Sequence, residues 1–164
     1  GIGATIRRGL QHVETEWVLF AMADGSEDPL MLFRMIQAAS AMDVPAVFGT
    51  RWSKGGSVLG YPTFKRFGNR LGNSLISAVF GLWYDDWTDL AKAYQTKTLR
   101  LIPWDDDFRC AVQIPLRYLY VAGAYQVPVV PMRWVERSVG VSSYRFRHAL
   151  GCLKAFWQEW RFHG

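Results

Sequence analysis

The sequence predicts an α/β domain with a mainly parallel sheet. Two short, continuous apolar runs, Trp17 to Ala21 and Pro45 to Gly49, have the length and composition of strands that are buried on both faces. Segments with apolar residues at helical spacing separate such runs, and this alternation is typical of layered α/β folds. The chain has 164 residues, of which 50% are hydrophobic, so it is long enough for one domain and too apolar to be disordered.

The first half of the chain contains one clear helix start. Asp28 suits the N-cap position and Pro29 the first helical position, which together predict a helix that follows directly. The predicted elements of this half are, in chain order, a helix over 4–13, a strand over 17–21, a helix over 30–42, a strand over 45–49 and a Gly-rich loop over 54–57.

The second half contains three amphipathic segments. The longest, residues 64–82, has an apolar stripe that consists of Phe67, Leu71, Leu75, Val79 and Leu82. A strand over 90–94, a helix over 108–122, a Pro-rich edge strand over 126–134, a loop over 138–143 and a final amphipathic helix over 144–162 complete the prediction. We therefore expect residues 1–164 to form one domain that ends in this helix.

The charge is concentrated at the C-terminal end. The net charge is +5, and the residues from Arg133 onward contain six Lys or Arg and two acids, so this segment supplies 6 − 2 = +4 of it. A basic, aromatic-rich end suits lipid headgroups, phosphates or nucleic acid. The two cysteines are far apart, which predicts reduced thiols, and the sequence contains neither an apolar run of about 18 residues nor a signal peptide.

Polar residues follow both predicted strands of the first half. Asp24 and Ser26 follow the first strand, and Arg51 follows the second. Ligands of open α/β sheets bind at the carboxyl ends of the strands, so these side chains suit a divalent metal and a phosphorylated ligand. Plainer interpretations remain open: Asp24 as a loop acid in an Asx-turn, Asp28 as a helix cap, and Arg51 as a solvated loop arginine.

The order of five segments is more specific than any one of them. They read MADGSEDP over 22–29, VFGTRWSKGG over 47–56, YPTFKRFGNRLGN over 61–73, DDWTDLAKAY over 85–94, and a last segment over 112–144 that contains ERSVGVSS. Together they resemble the family 2 glycosyltransferases, and within that family the polyprenyl-phosphate branch, similar to dolichol-phosphate mannosyltransferase. The resemblance implies a GT-A fold with helices on both faces of the sheet, and an inverting, metal-dependent sugar transfer that uses Mg²⁺ or Mn²⁺.

The resemblance also implies roles for individual residues. Asp24 matches the second Asp of the family's Asp-x-Asp element, while Met22 departs from the first, so that Ser26 or Asp28 would assist at the metal. Thr50-Arg51 matches a Ser-Arg element, and Asp86 the Asp of an Asp-x-Thr element. The implied catalytic residues are Asp86, Arg51 and Lys92; the implied substrate-binding residues are Arg66, Asn69, Gln113, Arg137 and Ser142; the implied metal ligands are Asp24 and Ser26.

The implied partners are a nucleotide-sugar donor, a lipid-phosphate acceptor and a membrane surface at its cytoplasmic face, with no nucleic acid. The family begins with a strand of the type Val-Ile-Pro-x-Tyr-Asn-Glu, which this sequence lacks. We therefore expect that the first strands of the domain are missing and that the chain alone is inactive. The alternative is a non-catalytic membrane-surface module with a degenerate site, suggested by Met22, Gln113 and Ser143.

Overall fold

A computed structural model describes residues 1–136 and 146–163 of the chain. These residues contain six helices and six strands. They are α1 (Ile2–Leu10), β1 (Trp17–Phe20), α2 (Pro29–Ala41), β2 (Ala46–Thr50), β3 (Ser57–Leu59), α3 (Thr63–Phe80), β4 (Lys92–Gln95), α4 (Thr96–Leu99), α5 (Cys110–Ala122), β5 (Val129–Pro131), β6 (Arg133–Val135) and α6 (Phe146–His163). Of these elements, the short strand β3 and the short helix α4 were not predicted.

Four strands form the central sheet in the order β1-β4-β2-β5. β4 runs antiparallel to both of its neighbours, with Val18 opposite Tyr94 and Val47 opposite Ala93, while β2 and β5 are parallel. Three of the four strands therefore point in one direction, and the sheet is mixed because β4 is reversed. β3 and β6 form a second, parallel pair beside it.

Helices cover both faces of this sheet. On one face α2 packs Met35 and Ala39 against Val47 and Ala93. On the other face the aromatic side chains of Phe48 and Tyr94 form the core with α5 and α1, and Tyr118 of α5 donates a hydrogen bond from its hydroxyl group to the carbonyl oxygen of Pro45 at 2.5 Å. The carboxyl ends of β1 and β2 are left uncovered by this arrangement.

Two strand predictions need correction. The predicted strand over 126–134 is two short strands, β5 and β6, because Met132 between them is buried and the chain passes from one sheet to the other there. β1 is half-buried along its whole length instead of fully buried, because within the described residues it pairs with β4 alone. In contrast, all five residues of β2 are buried.

α3 turns its predicted apolar stripe outward. Its buried residues are Asn73 and Ile76, whereas Phe67, Leu71 and Leu75 are exposed. The helical periodicity was sufficient to predict the helix, but the side that faces the sheet is the polar one. The helix ends at Gly81, whose φ of 64° is the left-handed conformation that glycine adopts readily.

α6 packs against α5 and α3. Arg117 of α5 donates two hydrogen bonds to the carboxylate of Glu159, from Nε at 2.8 Å and from the terminal nitrogen at 2.6 Å, and Glu159 is fully buried. Phe156 packs on Phe80 of α3 with ring centroids 5.8 Å apart. Of the helices in the described residues, none is both long enough and apolar enough to cross a bilayer.

Candidate functional site

A cavity of about 690 Å³ lies at the carboxyl ends of β1 and β2. It is where the strand-end argument places a ligand site. The residues on its β1 and β2 side include Met22, Asp24, Ser26, Glu27 and Arg51; α3 and the segment before it add Tyr61, Lys65 and Asn69; the segment after α3 adds Thr88, Asp89 and Leu90; and Trp134, Glu136, Phe108 and Arg109 lie at its margins.

Hydrogen bonds from backbone N–H groups hold the turn after β1. The Ser26 N–H donates to Oδ1 of Asp24 at 3.1 Å, and the N–H of Val135 donates to the carbonyl oxygen of Ser26 at 2.9 Å. Gly25 has φ of 71°, which explains why glycine stands between the two polar residues. Asp24 therefore forms the Asx-turn that the plainer interpretation predicted, while its side chain lies on the cavity wall.

Ser26 contains an unsatisfied polar atom at the cavity. The residue is 3% exposed, and its hydroxyl group has no hydrogen-bond partner among the described residues. A buried hydroxyl without a partner is costly, so an oxygen-seeking ligand in the cavity would relieve that cost. Asp28 points elsewhere: its carboxylate accepts the N–H of Leu30 at 2.9 Å and caps α2, as the helix-cap interpretation predicted.

Glu27 is a buried acid that the sequence analysis left without a role. Its carboxylate accepts the N–H of Met22 at 2.7 Å. Burial, together with the negative charges of Asp89 and Asp24, raises its pKa from 4.5 to about 7, although the bond from Met22 and the charge of Arg51 oppose the shift. Three acids therefore line the cavity, and the charge of Arg51 offsets part of their mutual repulsion.

Arg51 is held by two carboxylates. It donates to Asp86 from its backbone N–H at 3.0 Å, from Nε at 2.8 Å and from a terminal nitrogen at 2.6 Å, and its Nε lies 3.0 Å from Asp89. Although burial acts to lower it, the pKa of Arg51 is raised by the charges of Asp89 and Asp86. Arg51 is thus no solvated loop arginine; it joins the end of β2 to the segment after α3.

Lys92 lies beneath the same segment. Its ammonium group donates to the carbonyl oxygens of Asp86 and Trp87, both at 3.3 Å, and to that of Asp89. Burial lowers its pKa from 10.5 to about 8. Asp86 and Lys92 are fully buried and neither lies on the cavity wall, whereas Thr88 and Asp89, from the same turn, do.

Close packing of neighbouring chain segments explains why residue 49, near the site, is glycine. A Cβ atom on Gly49 would lie 2.9 Å from the carbonyl oxygen of Ala91 and closer still to the sulfur of Met132. The hydroxyl group of Tyr84 also donates to the carbonyl oxygen of Gly49 at 2.5 Å. The end of β2 can therefore reach the turn that holds Arg51 only with glycine at this position.

Among the described residues, the structure places one of the predicted substrate-binding residues on the cavity wall and two outside the cavity. Asn69 lies on the cavity wall and donates to the hydroxyl group of Thr88 at 2.8 Å. Arg66 does not line the cavity, and its guanidinium group donates to the carbonyl oxygen of Val58 at 2.8 Å. Gln113 lies outside the cavity and bonds with Asp105 in both directions at 2.9 Å. Arg137 and Ser142 fall outside the described residues.

Lys65, the neighbour of Arg66, is the cation that α3 presents to the cavity. Within residues 1–136 and 146–163 it has no ion-pair partner, whereas Arg51 is bound to Asp86 and Asp89. The resemblance implied Arg66 and Asn69 as substrate-binding residues, whereas the structure places Lys65 beside Asn69 on the cavity wall. Spacings of three and four both place residues on one face of a helix, so the sequence did not distinguish Lys65 from Arg66.

No group of three or more His, Cys, Asp or Glu side chains with metal-binding geometry occurs in the described part of the chain. Mg²⁺ is commonly bound through one or two carboxylates plus phosphate and water, and not by a protein cage. Asp24 on the cavity wall and the unpartnered hydroxyl group of Ser26 fit that kind of site.

Comparisons with known proteins agree with this geometry. No family model matches the chain. The undecaprenyl-phosphate mannosyltransferase of Micrococcus luteus is 30% identical over 122 residues, which are 73% of this chain and 49% of that protein. The polyprenol monophosphomannose synthase of Mycolicibacterium smegmatis is 29% identical over 122 residues, 73% of this chain and 46% of that protein. The chain therefore spans about half the length of the curated relatives it matches.

Solved structures share the fold. Glucosyl-3-phosphoglycerate synthase of Mycobacterium tuberculosis, in complex with Mn²⁺, UDP-glucose and phosphoglyceric acid, superposes with a TM-score of 0.69 at 10% identity, over 97% of this chain and 55% of that one. The same enzyme with Mg²⁺ and UDP gives a TM-score of 0.64 at 12% identity, over 95% of this chain and 53% of that one. The GT-A fold predicted from the motifs is confirmed.

Proposed function

Since the chain is related in sequence to the family 2 glycosyltransferases of the polyprenyl-phosphate branch and has the GT-A fold, we propose that it transfers a sugar from a nucleotide-diphosphate donor to a polyprenyl phosphate. The observation that supports this most is the cavity itself. It brings the acid-lined end of β1, the end of β2 and the basic start of α3 together around one space.

Asp24 and Ser26 are the residues we assign to the divalent metal. The cation would offset negative charge on the departing nucleoside diphosphate. Asp24 supplies a carboxylate on the cavity wall, and the hydroxyl group of Ser26 is already buried without a partner. Mn²⁺ or Mg²⁺ in the related structures makes a hard, oxygen-binding ion the reasonable choice.

Arg51, Asp86 and Lys92 act as positioning residues in this proposal. Asp86 and Asp89 already neutralise Arg51, and Lys92 is bound to three carbonyl oxygens of one turn. Their bonds hold Thr88 and Asp89 at the wall of the cavity that Asp24 also lines. The wall thereby keeps a fixed shape for the donor, which is how preorganised sites lower a reaction barrier.

Lys65 and Asn69 are the residues we assign to the acceptor phosphate. A phosphate monoester has a second pKa near 6, so at neutral pH it is mostly a dianion and needs no general base. Its oxygen forms a bond to the anomeric carbon of the sugar while the bond to the nucleoside diphosphate breaks, with inversion. The ammonium group of Lys65 would reduce the repulsion between the two phosphorylated substrates. Arg137 and Ser142 remain predicted contacts.

The acceptor would place the protein at a membrane, with the site at the cytoplasmic face. Nucleic acid is a poor candidate partner, because the acids Asp24, Glu27 and Asp89 would repel a phosphate backbone at this cavity. The proposed partners are thus a nucleotide sugar, a lipid phosphate and the membrane surface that carries the lipid.

Binding and turnover test the proposal separately. Calorimetry should detect Mn²⁺ binding that is strengthened by UDP in the wild-type chain and lost in Asp24→Asn, with Asp43→Asn, an exposed acid between α2 and β2, as the control. Transfer from a panel of nucleotide sugars to polyprenyl phosphate is measured separately. Asp24→Asn should abolish that transfer.

The non-catalytic module is the second candidate, and Met22 on the cavity wall, where the family has a carboxylate, is the observation that favours it. This candidate predicts that the protein binds membranes but binds neither Mn²⁺ nor UDP. It also predicts that no donor supports sugar transfer. That combination of results would replace the enzymatic proposal.

A further inference from the structure

A row of large apolar side chains lies exposed along α3. This α3 stripe consists of Phe64, Phe67, Leu71 and Leu75, which are 74%, 71%, 60% and 48% exposed. Their spacing of three and four residues places them on one side of the helix over three turns. Folded monomeric proteins rarely leave such a contiguous apolar surface in water, so the stripe indicates a docking surface.

The charged residues of α3 itself are all positive. α3 contains Lys65, Arg66 and Arg70 and no acid. Arg66 and Arg70 are exposed and immediately precede Phe67 and Leu71, so they lie about 100° around the helix from the stripe. Long basic side chains in this position can keep their charges among headgroups while the apolar residues enter a bilayer.

α6 also exposes large apolar residues next to basic ones. Its exposed apolar residues, the α6 stripe, are Leu150, Leu153, Trp157 and Trp160. Between 150 and 161 its exposed charges are Lys154 and Arg161, because the one acid of this segment, Glu159, is buried against Arg117. Tryptophan is enriched at membrane interfaces, where an apolar body and a polar N–H group both find a suitable environment.

The basic residues beside the two stripes favour one kind of binding partner over another. A second copy of the same face would bring the cations of α3 and α6 against each other, which opposes association. An anionic lipid surface instead attracts each exposed Lys or Arg by about 1 kcal/mol. Lys65 and Asn69 of the same helix line the cavity, so contact at the stripe would bring the cavity within about one helix diameter, roughly 10 to 12 Å, of the headgroups.

We propose that the α3 stripe and the α6 stripe dock this protein on an anionic bilayer surface, so that a lipid phosphate enters the cavity along α3. The proposal deepens the proposed function and rests on it for the lipid acceptor. The docking surface itself is tested without turnover, so the two can fail independently.

Co-sedimentation with vesicles measures the docking. Wild-type chain should bind vesicles of phosphatidylcholine mixed with phosphatidylglycerol, and binding should weaken as salt is added. Phe67→Ser/Leu71→Ser should reduce this binding about tenfold or more, because both side chains lose transfer to the bilayer. Leu101→Ser/Tyr125→Ser is the matched control, since both residues are equally exposed but lie away from α3 and α6, and it should bind like the wild type.

Charge variants isolate the electrostatic contribution. Arg70→Gln/Lys154→Gln should reduce binding to the mixed vesicles about tenfold, whereas Arg8→Gln/Arg34→Gln, which removes two exposed arginines elsewhere, should have little effect. Circular dichroism confirms that each variant is folded. Equal binding by stripe and control variants, or equal binding to pure phosphatidylcholine, would overturn the proposal. A dimer in solution that the stripe variant dissociates would assign the face to a second copy instead.

Discussion

Arg51 and Asp86 form a doubly hydrogen-bonded ion pair, at 2.8 and 2.6 Å, with both side chains buried at the end of β2. A third bond, from the backbone N–H of Arg51, reaches the same carboxylate at 3.0 Å. The pair fixes the turn after α3 against the central sheet. Asp89, which lines the cavity, is fixed by the same guanidinium group.

Asp86→Asn should therefore destabilise the protein strongly. The change leaves the buried Arg51 with Asp89 as its one carboxylate and removes a charge-assisted hydrogen-bond acceptor, which should cost about 1.5 to 3 kcal/mol. Urea denaturation followed by tryptophan fluorescence measures the loss. Asp106→Asn is the control, because the carboxylate of Asp106 is exposed where it pairs with Arg7, and its loss should cost less than about 1 kcal/mol. Equal losses in the two variants would contradict the assigned role.

Ser26→Ala should separate stability from ligand binding. The hydroxyl group of Ser26 has no partner among the described residues, so its removal should leave the free energy of unfolding unchanged or slightly higher. Affinity for Mn²⁺ with UDP should fall. In the control Ser77→Ala, a hydroxyl group that accepts from Trp87 at 2.9 Å and donates to the carbonyl oxygen of Tyr84 is lost, so stability should fall by about 1 to 3 kcal/mol. A comparable stability loss in Ser26→Ala would show that Ser26 is structural.

Lys65→Gln should weaken acceptor binding more than Arg66→Gln does. Lys65 lines the cavity, whereas the guanidinium group of Arg66 is directed to Val58. Loss of one charge-assisted contact should lower the affinity for a short-chain polyprenyl phosphate about tenfold or more, as measured by calorimetry. Lys65→Arg should restore much of the affinity. If Arg66→Gln has the larger effect, the sequence-based assignment is the correct one.

The two cysteines should resist thiol reagents in the folded protein. Burial raises the pKa of Cys110 to about 12 and that of Cys152 to about 11. Because the thiolate is the reactive form, the reactive fraction of Cys152 at pH 8 falls about a hundredfold below that of an ordinary thiol with pKa near 9. Absorbance after addition of Ellman's reagent should show slow labelling that accelerates about tenfold per pH unit, and rapid labelling of both thiols in denaturant. A fast phase at pH 8 that disappears in Cys152→Ala would contradict the burial of that thiol.

The sequence predicted the five long helices and the strands β1, β2 and β4, because these depend on local patterns, but it missed β3 and α4. The Asp28-Pro29 signal identified the start of α2, and continuous apolar character identified β2 as a buried strand. The reversed direction of β4 has no such local signal, since the same residues can pair in either direction. It is determined by contacts between segments that are distant in the chain.

The sequence also did not show which side of α3 is buried and which is exposed. Periodicity shows that Phe67, Leu71 and Leu75 share a side, but a stripe that docks on a bilayer has the same pattern as one that packs in a core. The orientations of Lys65 and Arg66 were likewise not predictable, because they depend on which side of the helix is buried. Glu27 was missed because its burial follows from the bridge that pairs it with Trp134.

The ion pair between Arg117 and Glu159 limits how α6 can move. A carboxylate stripped of water cannot be left alone without a large cost, so the C-terminal helix cannot swing away from α5 as a tethered anchor would. Any tilt imposed on that helix is passed to α5, and through the hydroxyl group of Tyr118 to Pro45, where β2 begins. A displacement of α6 by a docked bilayer would therefore be transmitted to the start of β2.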